Sequence, residues 1–308
     1  MKKLSVLTHP DCLDHQPGAG HAESPDRLRA ILAALDHHDF AGVDRHSCAP
    51  APRAALYAAH SNAYVDQILA LAGQAAVLDA DTVVSPGSVR AALLAAGGAM
   101  AAVDLVAGFH AQSAFVATRP PGHHAEADRA MGFCLFNNAA IAAFHARAAH
   151  GLARVAVVDF DVHHGNGTQA IFWDDADLFY ASSHQMPCYP GTGAADETGA
   201  AGTIVNMPLA PGAGSREFRA AWQDIGLPAL AAFAPDLLII SAGFDAHLAD
   251  PLAQLTLGTD DFAWITAELV EIAAQYSEGR LVSLLEGGYN LQALADCTAA
   301  HLRELLKA

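Results

Sequence analysis

Two acids and a histidine in this chain stand where they could grip one divalent ion. Asp161-Val162-His163 closes one apolar run, and Asp245 closes another in Ser241-Ala-Gly-Phe-Asp-Ala-His247. Side chains two apart on an extended chain point the same way. Asp159, Asp161 and His163 therefore share a face where the run Arg154–Phe160 gives out. Asp161 and His163 can chelate one ion, and Asp245 can complete the set from a neighbouring strand end. Two carboxylates and one imidazole leave a position open for water, as a catalytic zinc site requires. Iron(II) also suits this set of oxygen and nitrogen donors.

Water activated by a metal needs a base nearby. His123-His124 follows a third apolar run, behind Arg119-Pro-Pro-Gly122. The pair could be two bases, one base with an electrostatic partner, or a surface pair without a role. Asp159 is a candidate orienter for one imidazole and Asn166 for the other, and those hydrogen bonds would set the tautomers. Tyr289, in Glu286-Gly-Gly-Tyr-Asn290, could swing a phenol over the site as a donor to a developing oxyanion. The alternative is a tyrosine packed beside a glycine turn. Tyr189 and Gly191 lie in Tyr-Pro-Gly-Thr-Gly193, which lacks the lysine and the strand–turn–helix context of a phosphate loop.

These groups need a scaffold that gathers strand ends. The runs Ser113–Thr118, Arg154–Phe160, Leu178–Ser182, Thr203–Leu209, Leu237–Ala242 and Leu281–Leu285 are short and apolar or β-branched. Helices should alternate with them. Ser24-Pro25-Asp26 opens one that runs through Leu35, Ser85-Pro86 opens a second that reaches about Gly108, and Asn137 to His150 is a third, closed by Gly151. The expectation is an α/β fold with a single open, mostly parallel sheet and helices on both faces. Ligands in such sheets bind beyond the carboxyl ends of the strands, where the candidate residues sit. With no linker, low-complexity run or repeat, residues 1–308 read as one catalytic domain.

The 308 residues are 53% hydrophobic, enough for a sizeable core. The net charge of -17 disfavours nucleic acid and suits cationic substrates. The five cysteines are scattered with no Cys-x-x-Cys spacing, which fits a reducing cytoplasm. Leu4 to Leu7 is too short for a signal peptide, and Ala91 to Phe109 reads as a buried helix rather than a membrane span.

Taken together, the chain resembles the zinc-dependent histone deacetylase family, and most of all its class II and bacterial amidohydrolase branch. The matching phrases are His21–Leu28, Arg119–Ala125, Gly132-Phe133, Asp159–Gln169, Tyr189–Gly193, Ser241–His247 and Glu286–Asn290, in the family's order. The resemblance implies an arginase–deacetylase fold. It makes Asp161, His163 and Asp245 the zinc ligands, His123 and His124 the base and acid pair, and Tyr289 the oxyanion donor. Phe133 and Tyr189 would wall a channel for an acylated lysine-like chain, with the Gly132 carbonyl inside it. Asp81 falls at the place of a rim aspartate that holds the substrate backbone. A potassium ion behind the zinc would draw on Asp159, Asp161, His163, Ser182 and Ser183. Asn166 replaces the aspartate of class I members, and Tyr189 stands where many members carry Phe.

The function so implied is a zinc-dependent amidohydrolase that removes acetyl or other acyl groups from lysine-like amines. Its partner would be an acetylated lysine peptide or a small acylated amine, with no nucleic acid or membrane involved. A homo-oligomer is left open. One alternative is an acetylpolyamine deacetylase. The polyamine-selective relatives carry a glutamate at what corresponds to Leu252, and Leu252 cannot pair with a distant ammonium. A second alternative is an arginase-like hydrolase with two manganese ions, which needs a further set of Asp and His ligands.

Overall fold

The computed structural model describes residues 2–308, with side chains from Leu4 onward. Among the described residues, ten strands run β1 (Lys2–Thr8), β2 (Asp44–Ser47), β3 (Ala76–Val77), β4 (Val83–Val84), β5 (Ala111–Val116), β6 (Val155–Asp159), β7 (Leu178–Gln185), β8 (Ile204–Leu209), β9 (Leu237–Ala242) and β10 (Leu281–Leu285). The α-helices are α1 (Pro25–Leu35), α2 (Arg53–Leu56), α3 (Asn62–Ala70), α4 (Ser88–Ala107), α5 (Asn138–His150), α6 (Asn166–Phe172), α7 (Ser215–Ala221), α8 (Leu227–Phe233), α9 (Thr259–Tyr276) and α10 (Leu291–Leu305).

Eight strands form one sheet in the order β2-β1-β5-β10-β9-β6-β7-β8, and every neighbouring pair is parallel. Strands β3 and β4 form a separate small antiparallel pair. β6, β7, β9 and β10 bury every residue, so both faces of the central sheet are covered. The helices pack in two groups, α4 with α5, and α10 with α1 and α9.

Local chemistry explains the helix ends. The Asn137 side chain accepts the Ala140 N–H at 2.9 Å, and Gly151 closes α5 in the left-handed region at φ 67°. α4 starts at Ser88 rather than at Ser85-Pro86. The Ser85 hydroxyl is occupied elsewhere, accepting the Gln16 N–H and donating to the Asp14 carbonyl, so it ties down a loop instead of capping the helix. α4 is long and apolar enough to cross a membrane, yet 67% of its apolar window is buried inside the protein.

The order of the sheet decides the site. β5, β10, β9 and β6 are neighbours there although they are far apart in sequence. Their carboxyl ends deliver His123-His124, Glu286–Tyr289, Asp245 and Asp161–His163 to one place.

Candidate active site

Asp161, His163 and Asp245 are buried, and each offers one ligand atom within 4.8 Å of the others. His163 Nδ1 lies 3.0 Å from Asp161 Oδ1 and 3.1 Å from Asp245 Oδ2. The carboxylates are braced by backbone donors. Asp161 Oδ2 accepts the Gly287 N–H at 2.8 Å, and Asp245 Oδ1 accepts the Val162 N–H at 2.8 Å. A Cβ at Gly243 or Gly287 would collide with these carboxylates, so both glycines are needed for the close approach.

Electrostatics at this spot favour a cation. Burial, then the charge of Asp161, push the Asp245 carboxyl up. Burial also opposes the charge on Asp161, but His123 and His163 overcome it and hold Asp161 well below the usual carboxylate range. Two buried carboxylates this close repel one another unless a positive ion sits between them. Donor type, count and convergence all fit a zinc ion with an open coordination position.

The two histidines beside this cluster stand in different surroundings. Their ring centroids are 4.0 Å apart. His123 Nδ1 faces Asp159 Oδ2 at 3.0 Å, whereas His124 Nδ1 faces Asn166 Oδ1 at 2.8 Å. Asn166 Nδ2 donates to Glu126 Oε1, which fixes its oxygen toward His124. His124 Nδ1 must therefore carry the proton and leave Nε2 as an acceptor. Burial opposes a charge on His123, but Asp159, Asp161 and Glu286 outweigh it and push its pKa up to about 10. Burial, followed by His123 and His163, drives His124 well below the usual imidazole value.

A cavity of about 350 Å³ opens onto the group, lined by Asp81, His124, Gly132, Phe133, His163, Cys188, Tyr189, Leu252 and Tyr289. The Phe133 and Tyr289 rings meet edge to face at 5.9 Å, and Tyr189 stands 5.1 Å from His124 at 87°. Gly132 sits at φ 56°, and a Cβ there would strike the His124 ring. Asp81 accepts from Thr82 Oγ1 at 3.2 Å, and its carbonyl faces His21 Nε2 at 3.0 Å. Behind the cavity, Ser182 on β7 is paired in register with Asp159 on β6. The Ser182 hydroxyl meets His184 Nδ1, and that of Ser183 accepts from Trp222 Nε1.

Several supporting residues went unnoticed in the sequence although they lie in or beside the motifs. Glu286 is buried, with Oε2 accepting the N–H groups of Gly122 and His123 at 2.7 and 3.2 Å. It locks the histidine loop to the tyrosine loop. Burial, with Asp159 and Asp161 adding to it, pushes its carboxyl up to about 7. Glu23 forms a buried bridge to Arg119 and Arg27, and Arg27 donates to the carbonyls of Glu286 and Gly288. Tyr180 donates to Asp159 Oδ2 at 3.0 Å. Motif membership was the available signal for Glu286, Arg119, Glu23 and Arg27. Tyr180 and Cys188 carried none.

Comparison with known proteins identifies the family. Residues 21–305 match the histone deacetylase domain. A histone deacetylase-like amidohydrolase of Pseudomonas aeruginosa is 42% identical over 293 residues, covering 93% of this chain and 77% of that protein. A probable deacetylase of Methanothermobacter thermautotrophicus is 39% identical, covering 97% of this chain and 90% of the other. The crystal structure of the HDA15 HD domain superposes with a TM-score of 0.95 at 37% identity, over 99% of this chain and 88% of that one. The eight-stranded sheet is thus the arginase–deacetylase fold, and this chain belongs to the histone deacetylase family.

Proposed function

We propose that this deacetylase is a zinc-dependent amidohydrolase that cleaves acetyl or other acyl groups from lysine-like amines. The observation that carries the reading is the buried Asp161–His163–Asp245 donor set opening onto a narrow cavity walled by Phe133, Tyr189 and Tyr289. Zinc, when bound by these three residues, polarises the amide carbonyl and acidifies water.

The chain's own residues do the rest. The aromatic walls admit an extended aliphatic stem and exclude bulk water. His124 Nε2, kept as a free acceptor by the Nδ1 contact with Asn166, takes a proton from the attacking water. His123, held charged by Asp159, steadies the negative charge that builds on the reacting carbon's oxygens. Tyr289 donates its O–H to that same oxygen. The C–N bond then breaks, the hydroxyl stays on the acyl carbon, and a proton passes from the histidine pair to the nitrogen. A carboxylic acid and a free amine leave, so the elements of water are balanced.

Potassium behind the site would use Asp159, Asp161, His163, Ser182 and Ser183. The engagement of the Ser183 hydroxyl by Trp222 favours backbone carbonyl donors there. An arginase-like binuclear centre is less well supported. Asp250, the next carboxylate after Asp245, is spent on the backbone N–H groups of Leu252, Tyr289 and Asn290. We read residues 1–308 as one catalytic domain. The five free thiols suit a cytoplasmic setting, and the charge of -17 argues against nucleic acid.

The test is hydrolysis of an acetyl-lysine peptide before and after chelation. Activity should vanish with the metal and return with zinc. Asp245→Ala should retain the fold and lose both the tightly held metal and turnover. Stoichiometric tight zinc with wild-type turnover in that variant would refute the assignment.

A further inference from the structure

A second cluster of side chains with metal-ligating donors lies at the opposite end of the sheet's strands. Asp104 belongs to α4, while His145 and His150 belong to α5. Both helices end here, and each is followed by the amino end of a strand: β5 begins at Ala111 and β6 at Val155. The candidate active site sits at the opposite, carboxyl end of these strands.

The three side chains converge. His145 Nε2 and His150 Nε2 each lie 2.7 Å from the same oxygen, Asp104 Oδ1. The imidazoles stand nearly perpendicular, with centroids 5.7 Å apart, so their ring nitrogens point to one place from two directions. All three ligand atoms fall within 4.8 Å of one another. The side chains are part-shielded, His145 18%, His150 25% and Asp104 53% exposed, which leaves one side open to water. The helices that carry them are packed closely along their length. This is a prearranged set, unlike three groups on mobile surface chains.

We propose that Asp104, His145 and His150 form a second, solvent-facing site for a borderline-soft divalent cation such as zinc, cobalt(II), nickel or copper(II). Two imidazoles and one carboxylate are the donor set that such ions favour, and hard ions such as magnesium prefer oxygen alone. An ion here ties the end of α4 to the end of α5 and stabilises the folded chain, because the three donors are not gathered in the unfolded one. It also alters how metal counts are interpreted. Two metal ions per chain at excess zinc are expected without any binuclear catalytic centre.

The holoprotein, carrying its tightly held metal, is titrated with zinc alone by calorimetry near neutral pH. Wild type should take up one further equivalent, and its Tm should rise with it. Asp104→Asn and His150→Gln should each weaken that uptake at least about tenfold, by analogy with the loss that even an outer hydrogen-bonding partner of a metal ligand causes. His145→Ala/His150→Ala should abolish it while leaving acetyl-lysine hydrolysis unchanged. Asp245→Ala should still bind at this second site, which separates the two sites. The proposal is overturned if wild type takes up no further zinc, or if the histidine variants bind like wild type. It is equally overturned if the extra uptake disappears only in His37→Ala/His38→Ala, the exposed pair beside Asp39.

Discussion

The carboxylate of Asp250 holds the backbone of Tyr289. Asp250 Oδ2 accepts the Tyr289 N–H at 2.7 Å and the Asn290 N–H at 3.3 Å, while Oδ1 accepts the Leu252 N–H at 3.0 Å. One side chain thus ties the loop that presents the phenol to the rim of the cavity. From the other side, Arg27 donates to the Gly288 carbonyl at 2.6 Å and lies 4.9 Å from the Tyr289 ring.

A phenol that acts as an oxyanion donor must be both present and placed. Tyr289→Phe should keep metal and fold but lose roughly 10²–10³ in kcat. Asp250→Ala should lose roughly 10² in kcat with little change in KM, because a misplaced donor costs about that much. Asp250→Asn keeps one acceptor oxygen and should fall between wild type and Asp250→Ala. Steady-state kinetics, with circular dichroism to verify folding, decide the matter. A folded Asp250→Ala with kcat within about threefold of wild type would end the positioning argument, and the same result for Tyr289→Phe would make that residue a packing group.

The histidines should not be interchangeable. His124 is oriented by a neutral amide and His123 by a carboxylate. His124→Ala removes the free acceptor and should lower kcat at every pH. His123→Ala removes the neighbouring positive charge, so His124 becomes easier to protonate and the acidic limb of kcat/KM should move to higher pH. Superimposable pH–rate profiles for the two variants would count against the division of roles.

Sequence pattern and structure agree where chemistry needs a sharp strand end. The runs read as strands around residues 113, 154, 178, 203, 237 and 281 all lie in the sheet, within a few residues of their observed ends. The parallel order follows from their alternation with helices. β1 and β2 escaped notice for different reasons. β1 has only three apolar residues, Leu4, Val6 and Leu7, and β2 is the polar edge segment Asp-Arg-His-Ser with alternate residues exposed. A polar edge strand leaves no hydrophobic period to detect. The bridge from Glu23 to Arg119 spans 96 positions and is completely buried. Charged side chains in a sequence are ordinarily read as surface, and only the fold shows that these two pair with each other. That Asp159 and Asn166 each orient one of the two histidines could be named beforehand, because one ends β6 and the other follows it closely.

Acid should destabilise the fold well before the carboxylates titrate. His60 Nδ1 meets the Glu126 carbonyl and Nε2 accepts the Asn137 N–H at 2.9 Å, so a proton on Nε2 breaks the contact at the start of α5. His301 is enclosed between the Thr266 and Ser283 hydroxyls. Burial lowers the pKa of His60 to about 4 and that of His301 to about 3, from 6.5. The folded pKa is the depressed one, so the unfolded chain binds more protons between these values. Stability from each is complete above pH 6.5 and falls with pH down toward 4 and 3, by up to about 1.4 kcal/mol per pH unit per histidine. Denaturant unfolding at pH 7, 6 and 5 measures the slope. His301→Gln should be less stable at pH 7 but flatter below it. A slope unchanged in that variant would exclude His301 from the linkage.

The rim carries a prediction about substrate choice. Leu252 is 40% exposed and faces the same cavity as Asp81. A polyamine's distant ammonium passing Leu252 meets an apolar surface that offers nothing against its desolvation. Asp81 can accept the backbone amide N–H groups that only a peptide offers. Wild type should therefore favour an acetyl-lysine peptide over acetylspermidine in kcat/KM. Leu252→Glu should shift the ratio toward acetylspermidine by placing a carboxylate beside the ammonium, and Asp81→Asn should weaken the peptide alone. The competing view is that Leu252 is a bystander and that the net charge of -17 recruits polyamines across the whole surface. In that case salt would depress acetylspermidine turnover strongly and Leu252→Glu would change little. A wild-type kcat/KM for acetylspermidine tenfold above that for the peptide, a transition-state difference of about 1.4 kcal/mol, would overturn the peptide preference.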